Sequence, residues 1–254
     1  MVYRDDGSSH KNGVANETFF VDFVNTRSVL IRHVVCPPDH TMKQHGGTQS
    51  KIDAEVVGPD GSTLYTLTIK NHKKGTFDWV NTTSCDILTS VKENLEKFRE
   101  SCVPAPQTAE EARRFRSTFN EIFSRAIRSL ENDDALIQSI LQRCYEKNPE
   151  YLVVNNVNTR EFILARTRES TPELGTYENW TYFLKFGRAQ TSGQVWRRRG
   201  DGEEVNTHLR LRLVSNNGIT AFFFKNSVPC LKLQQEHVDG FIQKLYEPVR
   251  ETWT

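Results

Sequence analysis

The sequence predicts an α+β fold, an antiparallel β-sandwich with helices inserted at its centre and one helix near its C-terminal end. Three observations lead there. Short apolar or alternating runs bounded by Gly, Pro and Asn fill the first and last thirds of the chain. The middle third carries apolar stripes at helical spacing with start and stop signals. A last stripe of Val238, Phe241, Ile242 and Leu245 spans about Gln235–Glu247, and Pro248 ends it. No repeat or low-complexity linker interrupts the 254 residues, so 1–254 reads as one domain. It is β-rich over 17–80, helical over 83–147, β-rich over 151–225 and helical over 235–247.

In order, Met1–Asn16 is polar, contains glycine and has no helical stripe. Thr18–Val24 is a continuous apolar run and reads as a buried strand, with Asn25-Thr26-Arg27 as a turn. Ser28–Val35 reads as a second strand stopped by Pro37-Pro38, and His40–Ser50 as a polar loop. Ile52–Val56 and Thr63–Lys70 alternate on either side of Gly58-Pro59-Asp60-Gly61, which predicts a hairpin.

Thr83 or Ser84 then caps a helix whose stripe is Ile87, Leu88, Val91, Leu95 and Phe98, ending before Pro104-Ala105-Pro106. Thr108 with Glu111 three residues on forms a capping box for a second helix. Its apolar face runs Ala112, Phe115, Phe119, Ile122, Phe123, Ala126 and Leu130. Asp133 caps a third, bearing Leu136, Ile137, Ile140, Leu141 and Tyr145. The remaining strands are Tyr151–Val157, Glu161–Arg168, Trp180–Phe186, Gln194–Arg199, Val205–Val214 and Ile219–Lys225. Gly200-Asp201-Gly202 and Asn216-Asn217-Gly218 have hairpin-turn composition. The adhesion-like tripeptide Arg199-Gly200-Asp201 is read as part of that first turn.

Charge and cysteine content narrow the function classes. Lys plus Arg number 33 against 32 Asp plus Glu, so the basic excess of a dedicated nucleic-acid binder is missing. Near-zero net charge removes the long-range repulsion that keeps copies apart. Cys36, Cys85, Cys102, Cys144 and Cys230 are odd in number and scattered, which suits free thiols in a reducing compartment. Cys85 and Cys102 fall at opposite ends of one predicted helix. The polar start of the chain lacks a signal-peptide core, and no apolar run reaches bilayer length. The sequons at Asn16, Asn81 and Asn179 are then unmodified.

No nucleophile elbow, Walker, Rossmann or H-E-x-x-H pattern is present, so the expectation is no enzymatic activity. His40 and His45 share a loop but lack a third zinc ligand of defined spacing, so no metal is expected. Glu110-Glu111 and Asp133-Asp134 sit where helix N-termini favour acids.

Trp180 to Arg212 is the richest stretch. Leu209, Leu211 and Leu213 alternate with Arg210 and Arg212, and the preceding strand offers Arg197, Arg198 and Arg199. Pairing across Gly200-Asp201-Gly202 would align these arginines as a cationic ladder. Trp180, Tyr182, Leu184 and Phe186 share one strand face; Phe183 and Lys185 share the other. Aromatics beside arginines suit single-stranded nucleic acid. They equally suit acidic patches on another copy, because Arg makes bidentate contacts that fix register.

The layout resembles a cypovirus polyhedrin, the protein of crystalline occlusion bodies. Asp60-Gly61-Ser62-Thr63-Leu64 opens a strand leading to Asn71 and then to the Lys/Glu-rich helix Ser84–Ser101. Arg199-Gly200-Asp201-Gly202-Glu203 turns between strands, and an aromatic-bearing helix, Phe241 to Tyr246, comes near Trp253. The resemblance covers about half the chain. It implies a structural protein that assembles with itself, in trimer-based lattices, around virus particles as cargo in the cytoplasm of an infected host cell. Some family members bind a nucleotide; otherwise no cofactor is implied. The polar Met1–Asn16 is not expected to supply the family's long N-terminal helix. By this reading assemblies persist near neutral pH and dissolve in alkali. At pH ~10.5, loss of protons from Tyr, Cys and Lys carries the net charge to about −15 to −20. Tyr177, Tyr182 and Tyr246 are the candidate pH-sensitive tyrosines.

Overall fold

The computed structural model of the protein describes residues 8–45, 52–73, 75–82, 85–172, 179–187, 191–215, 218–224 and 228–253. The side chains of 8–13, 80 and 81 lie outside that description, as do Thr83, Ser84, Tyr177, Asn216 and Asn217. The fold is mixed α+β with two sheets.

The chain opens with helices α1 (Ser8–Thr26) and α2 (Leu30–Val35). Strands β1 (Thr41–Gln44), β2 (Ala54–Val57), β3 (Thr63–His72) and β4 (Phe77–Thr82) follow. The central helices are α3 (Asp86–Ser101), α4 (Ala109–Arg114), α5 (Arg116–Arg128) and α6 (Asp134–Lys147). Then come β5 (Tyr151–Asn156), β6 (Glu161–Arg166), the single turn α7 (Thr167–Ser170) and β7 (Trp180–Lys185). Next are β8 (Ser192–Arg199), β9 (Glu204–Ser215) and α8 (Gly218–Phe224). The described chain closes with β10 (Pro229–Gln235), α9 (Val238–Gln243) and β11 (Val249–Thr252). Backbone contacts divide the chain into two compact units. The first comprises Met1–Phe77, Gln142–Gly175 and His237–Thr254, the second Asp78–Leu141 and Thr176–Glu236.

The first unit holds a six-stranded sheet in the order β1-β2-β3-β5-β6-β11. Its pairs are antiparallel except β3 with β5, which run parallel with Leu67 opposite Tyr151. The wholly antiparallel expectation is corrected there, because β3 and β5 are joined by a long crossover rather than a hairpin. Asp60-Gly61 makes the predicted turn: Gly61 has φ +82°, and the Gly58 N–H bonds the Ser62 carbonyl at 2.9 Å.

Four expectations in this region are corrected. Thr18–Val24 lies in α1 and Ser28–Val35 contains α2, so neither is a strand. The apolar run hides a helical stripe: Phe20, Phe23 and Val24, spaced i, i+3, i+4, are all buried. The rings of Phe20 and Phe23 stand 4.9 and 5.2 Å from Phe162 on β6. The helix also reaches back to Ser8, into the stretch read as non-helical. Thr41–Gln44, expected as loop, is β1, held where Asn25 Nδ2 donates to the Met42 carbonyl at 2.8 Å.

The second unit holds a five-stranded sheet in the order β4-β10-β9-β8-β7. Helix α3 packs on β10, α5 on β8 and β9, and α8 on β9. The predicted stripes supply buried side chains, among them Leu88, Val91 and Leu95 of α3 and Phe119 and Phe123 of α5, while buried Ile127 of α5 lies outside the predicted stripe. The Thr108 hydroxyl accepts the Glu111 N–H at 3.2 Å, as a capping box requires. The Glu111 carboxylate takes the Gln107 N–H at 2.6 Å instead of closing on Thr108. The helix expected to run on from there breaks at Phe115, so it is two helices. Asp133 caps α6 through the Leu136 N–H at 3.0 Å. Cys85 and Cys102 are the two caps of α3, and none of the five cysteines is in a disulfide.

Ile219–Lys225, expected as a strand after a hairpin turn, is instead helix α8 up to Phe224. Its Phe222 stacks on Phe98 at 5.8 Å and tilts against Phe119 at 5.2 Å, a cluster that a helix assembles and a strand would split. The closing helix is shorter than expected, Val238–Gln243, and gives way to β11. Strands β4, β10 and β11 go beyond the strands that the sequence pattern predicts. No described helix is long and apolar enough to cross a membrane.

Candidate functional site

The stretch singled out in the sequence forms three strands of the second unit. Across β7 and β8, Trp180 pairs with Arg199, Tyr182 with Arg197 and Leu184 with Val195. Across β8 and β9, Val195 pairs with Leu209, after which Thr207 and His208 bulge out so that Trp196 meets Asn206. The Thr207 hydroxyl secures the bulge by donating to the Val195 carbonyl at 2.6 Å. The predicted turn is present: Gly202 has φ +92°, and the Arg199 N–H bonds the Glu203 carbonyl at 2.9 Å.

Strand alternation sorts the arginines onto two faces instead of one ladder. One face buries Tyr182, Leu184, Val195, Leu209, Leu211 and Leu213. The other carries Phe183, Lys185, Trp196, Arg198, Arg210 and Arg212. On this second face Lys185 lies 3.7 Å from the Trp196 ring centre, and Arg198 lies 4.8 Å from that of Phe183. Glu204 joins both cations, 2.6 Å from Lys185 Nζ and 2.7 Å from Arg198 Nη2. The hydrogen bonds from Lys185 and then Arg198 hold its carboxyl below the usual glutamate range.

Further along this face, Arg210 meets Glu236 at 2.6 Å and Lys232 meets Asp78 at 3.1 Å. Arg212, between Ser192 and Lys232 in register, has no carboxylate partner among the described residues. The Trp196 indole N–H is buried and has no hydrogen-bond partner among them. Five cations thus face three carboxylates, and the cations nearest the aromatic rings are already neutralised.

Arg197 and Arg199 differ. Both alternate onto the other face at its open end, with guanidinium carbons 4.2 and 5.5 Å from the Trp180 ring centre. Arg199 has one loose carboxylate, Glu203 at 3.9 Å. Arg197 has no hydrogen bond or ion pair among the described residues, and its Nε is buried without a partner. Of the predicted arginines, Arg197 and Arg212 have no carboxylate partner among the described residues and Arg199 only a loose one, and Arg197 and Arg199 share one indole.

The outer edge of β7 is closed to strand addition. The Tyr182 N–H is taken by the Asp134 carboxylate, and the Leu184 N–H by the Glu131 carbonyl at 3.3 Å. Of the tyrosines expected to sense pH, Tyr182 is fully buried, Tyr246 is half exposed in the first unit, and Tyr177 lies outside the described residues.

His40 and His45 go to separate carboxylates, Asp39 at 2.9 Å and Glu55 at 3.7 Å. Among the described residues no group of three or more His, Cys, Asp or Glu is placed to hold a metal ion. Sequence reasoning missed one acid–base pair. Buried His72 on β3 bonds Asp239 of α9 at 2.8 Å, 167 residues away in the chain. No described hydroxyl or thiol is hydrogen-bonded to His72. No family model, curated protein or solved structure matches the chain.

Proposed function

We propose that this chain is a non-enzymatic structural protein that assembles with copies of itself, in the manner of a polyhedrin. On this reading it forms crystalline bodies that hold virus particles inside an infected cell, persist near neutral pH and dissolve in alkali. The observation that carries it is the Arg197–Trp180–Arg199 stack. Two guanidiniums preorganised on an indole, with one carboxylate 3.9 Å away, favour a carboxylate pair presented by a neighbouring molecule. On the opposite face of the same sheet four of the five cations already hold Glu204, Glu236 or Asp78, which favours protein contact over polyanion contact. The near-zero net charge lets copies approach.

The test is expression in insect cells with a search for refractile crystals, alongside light scattering of the purified protein from pH 7 to about 11.5, beyond the ordinary lysine range. Crystals at neutral pH that dissolve in alkali are expected, and Arg197→Glu with Arg199→Glu should abolish them. A monomer at all pH values with no crystals would overturn the proposal.

The same stack favours a second reading, a single-strand nucleic-acid binder that seats a base on Trp180 and phosphates on the two arginines. Salt-dependent binding of an oligonucleotide, lost in that double variant while assembly is absent, would select it.

A further inference from the structure

Three tyrosines meet at a cleft of about 330 Å³ in the first unit: Tyr65 of β3, Tyr151 of β5 and Tyr246 beyond α9. That volume suits a small organic ligand. The Tyr65 and Tyr151 rings stand nearly perpendicular, 80° apart with centres 5.3 Å apart, and form two walls of a corner. Val34 of α2 and Leu164 of β6 add apolar wall.

The polar groups of this corner are unusually free. Tyr151 is only 4% exposed, yet its hydroxyl has no hydrogen-bond partner among the described residues. The same holds for the hydroxyls of Tyr65 and Tyr246. The Tyr151 hydroxyl is not among the polar atoms sealed from solvent, so it opens on the cleft and is available to donate to an acceptor there. Burial pushes the Tyr151 phenol up, against the opposing pull of Arg166, so it stays a donor at neutral pH. Arg166 lines the cleft with its guanidinium 5.4 Å from the Tyr151 ring centre. Its ion pair with Glu150 is loose, 3.6 Å between side chains that are 50% and 41% exposed. Glu150 is therefore easily exchanged for a better acceptor. One carboxylate, exposed Glu247, also lines the cleft and weakens its attraction for anions.

We propose that this cleft binds a small organic carboxylate. The apolar body lies against Tyr65, Tyr151 and Val34, while the carboxylate takes the Arg166 guanidinium and phenol hydrogen bonds. This site is separate from the Trp180 stack and does not depend on self-assembly.

The test uses the full chain with 4-phenylbutyrate and its neutral amide, followed by calorimetry or by chemical shifts of the tyrosine rings. The acid should bind saturably and at least about tenfold more tightly than the amide. Arg166→Gln should remove that preference. Glu247→Gln should strengthen the acid and leave the amide unchanged, an effect opposite in sign that misfolding would not produce. Equal binding of acid and amide, no saturable binding of either below about 10 mM, or a preference surviving in Arg166→Gln would overturn the assignment.

Discussion

The Glu251 carboxylate accepts the Ser28 hydroxyl at 2.6 Å, joining β11 to the start of α2. The same carboxylate takes the N–H groups of Val29 at 2.7 Å, Ile31 at 3.0 Å and Leu30 at 3.3 Å. Helix α2 has no side-chain cap of its own at Val29, so a residue distant in sequence performs that task. Burial raises the Glu251 carboxyl, but the bonds from Ile31, Ser28, Val29 and Leu30 together lower it by more. Its folded pKa is thus below the unfolded one. The stabilisation is present above the ordinary glutamate value of about 4.3 and is lost as pH falls through the folded pKa. Glu251→Gln should cost about 1–2 kcal/mol at pH 7, and Glu251→Ala about 2–3 kcal/mol. Urea unfolding at pH 7 and pH 3 checks both, and the difference from wild type should shrink at pH 3.

Gly193 on β8 is a packing glycine. A Cβ there would stand 2.9 Å from the Leu184 Cβ and 3.2 Å from the Phe186 ring. The Leu184 Cβ is fixed to the backbone of β7 and cannot turn aside. Gly193→Ala should destabilise by about 1–3 kcal/mol, measured by denaturant midpoint. A neutral result would mean that β7 moves freely against β8.

Four of the five cations on the aromatic sheet face are paired with its own acids. Glu204→Gln with Glu236→Gln would release Lys185, Arg198 and Arg210 from their partners. Affinity for a model polyanion such as heparin should rise. The dependence of log K on log salt should steepen by about one for each cation newly paired with a sulfate. An unchanged slope would show that these cations do not reach solvent anions.

Tyr151 predicts an alkaline limit for the first unit. Burial raises its folded pKa above the ordinary value of about 10. The unfolded chain therefore releases this proton first, and stability is lost as pH rises toward and through the folded pKa. Tyr151→Phe should change neutral-pH stability by less than about 0.5 kcal/mol, since the hydroxyl has no protein partner among the described residues. The same change should flatten the decline above pH ~10. Thermal melts between pH 8 and 11 decide it.

The central helices were legible because each carried its own boundary chemistry. Thr108, Glu111 and Asp133 make backbone bonds at the predicted helix starts. The first helices were not, because TFFVDFV fits a strand run and a helix face equally well. The choice fell to Phe162, which lies far along the chain and packs with Phe20 and Phe23. Helix α8 escapes a local reading for the same reason: the phenylalanines of its GITAFFF run find their partners on α3 and α5. The arginines do fall on adjacent strands, as their pattern predicts. Their division between faces follows from strand alternation, and their neutralisation depends on Glu236 and Asp78, which no local pattern links to them. The tyrosine cleft left no sequence signal, since its residues come from three separate segments of the first unit.

The cap on α2 has a consequence during synthesis. Ser28 and Glu251 are 223 residues apart. At about 5–20 residues per second, the ribosome needs about 10–45 s to deliver the carboxylate after the helix it caps. For that interval the N–H groups of Val29, Leu30 and Ile31 lack their carboxylate, and the apolar face of α2 is uncovered by β11. A nascent chain in this state is a natural client for a holding chaperone, and a truncated one would remain so.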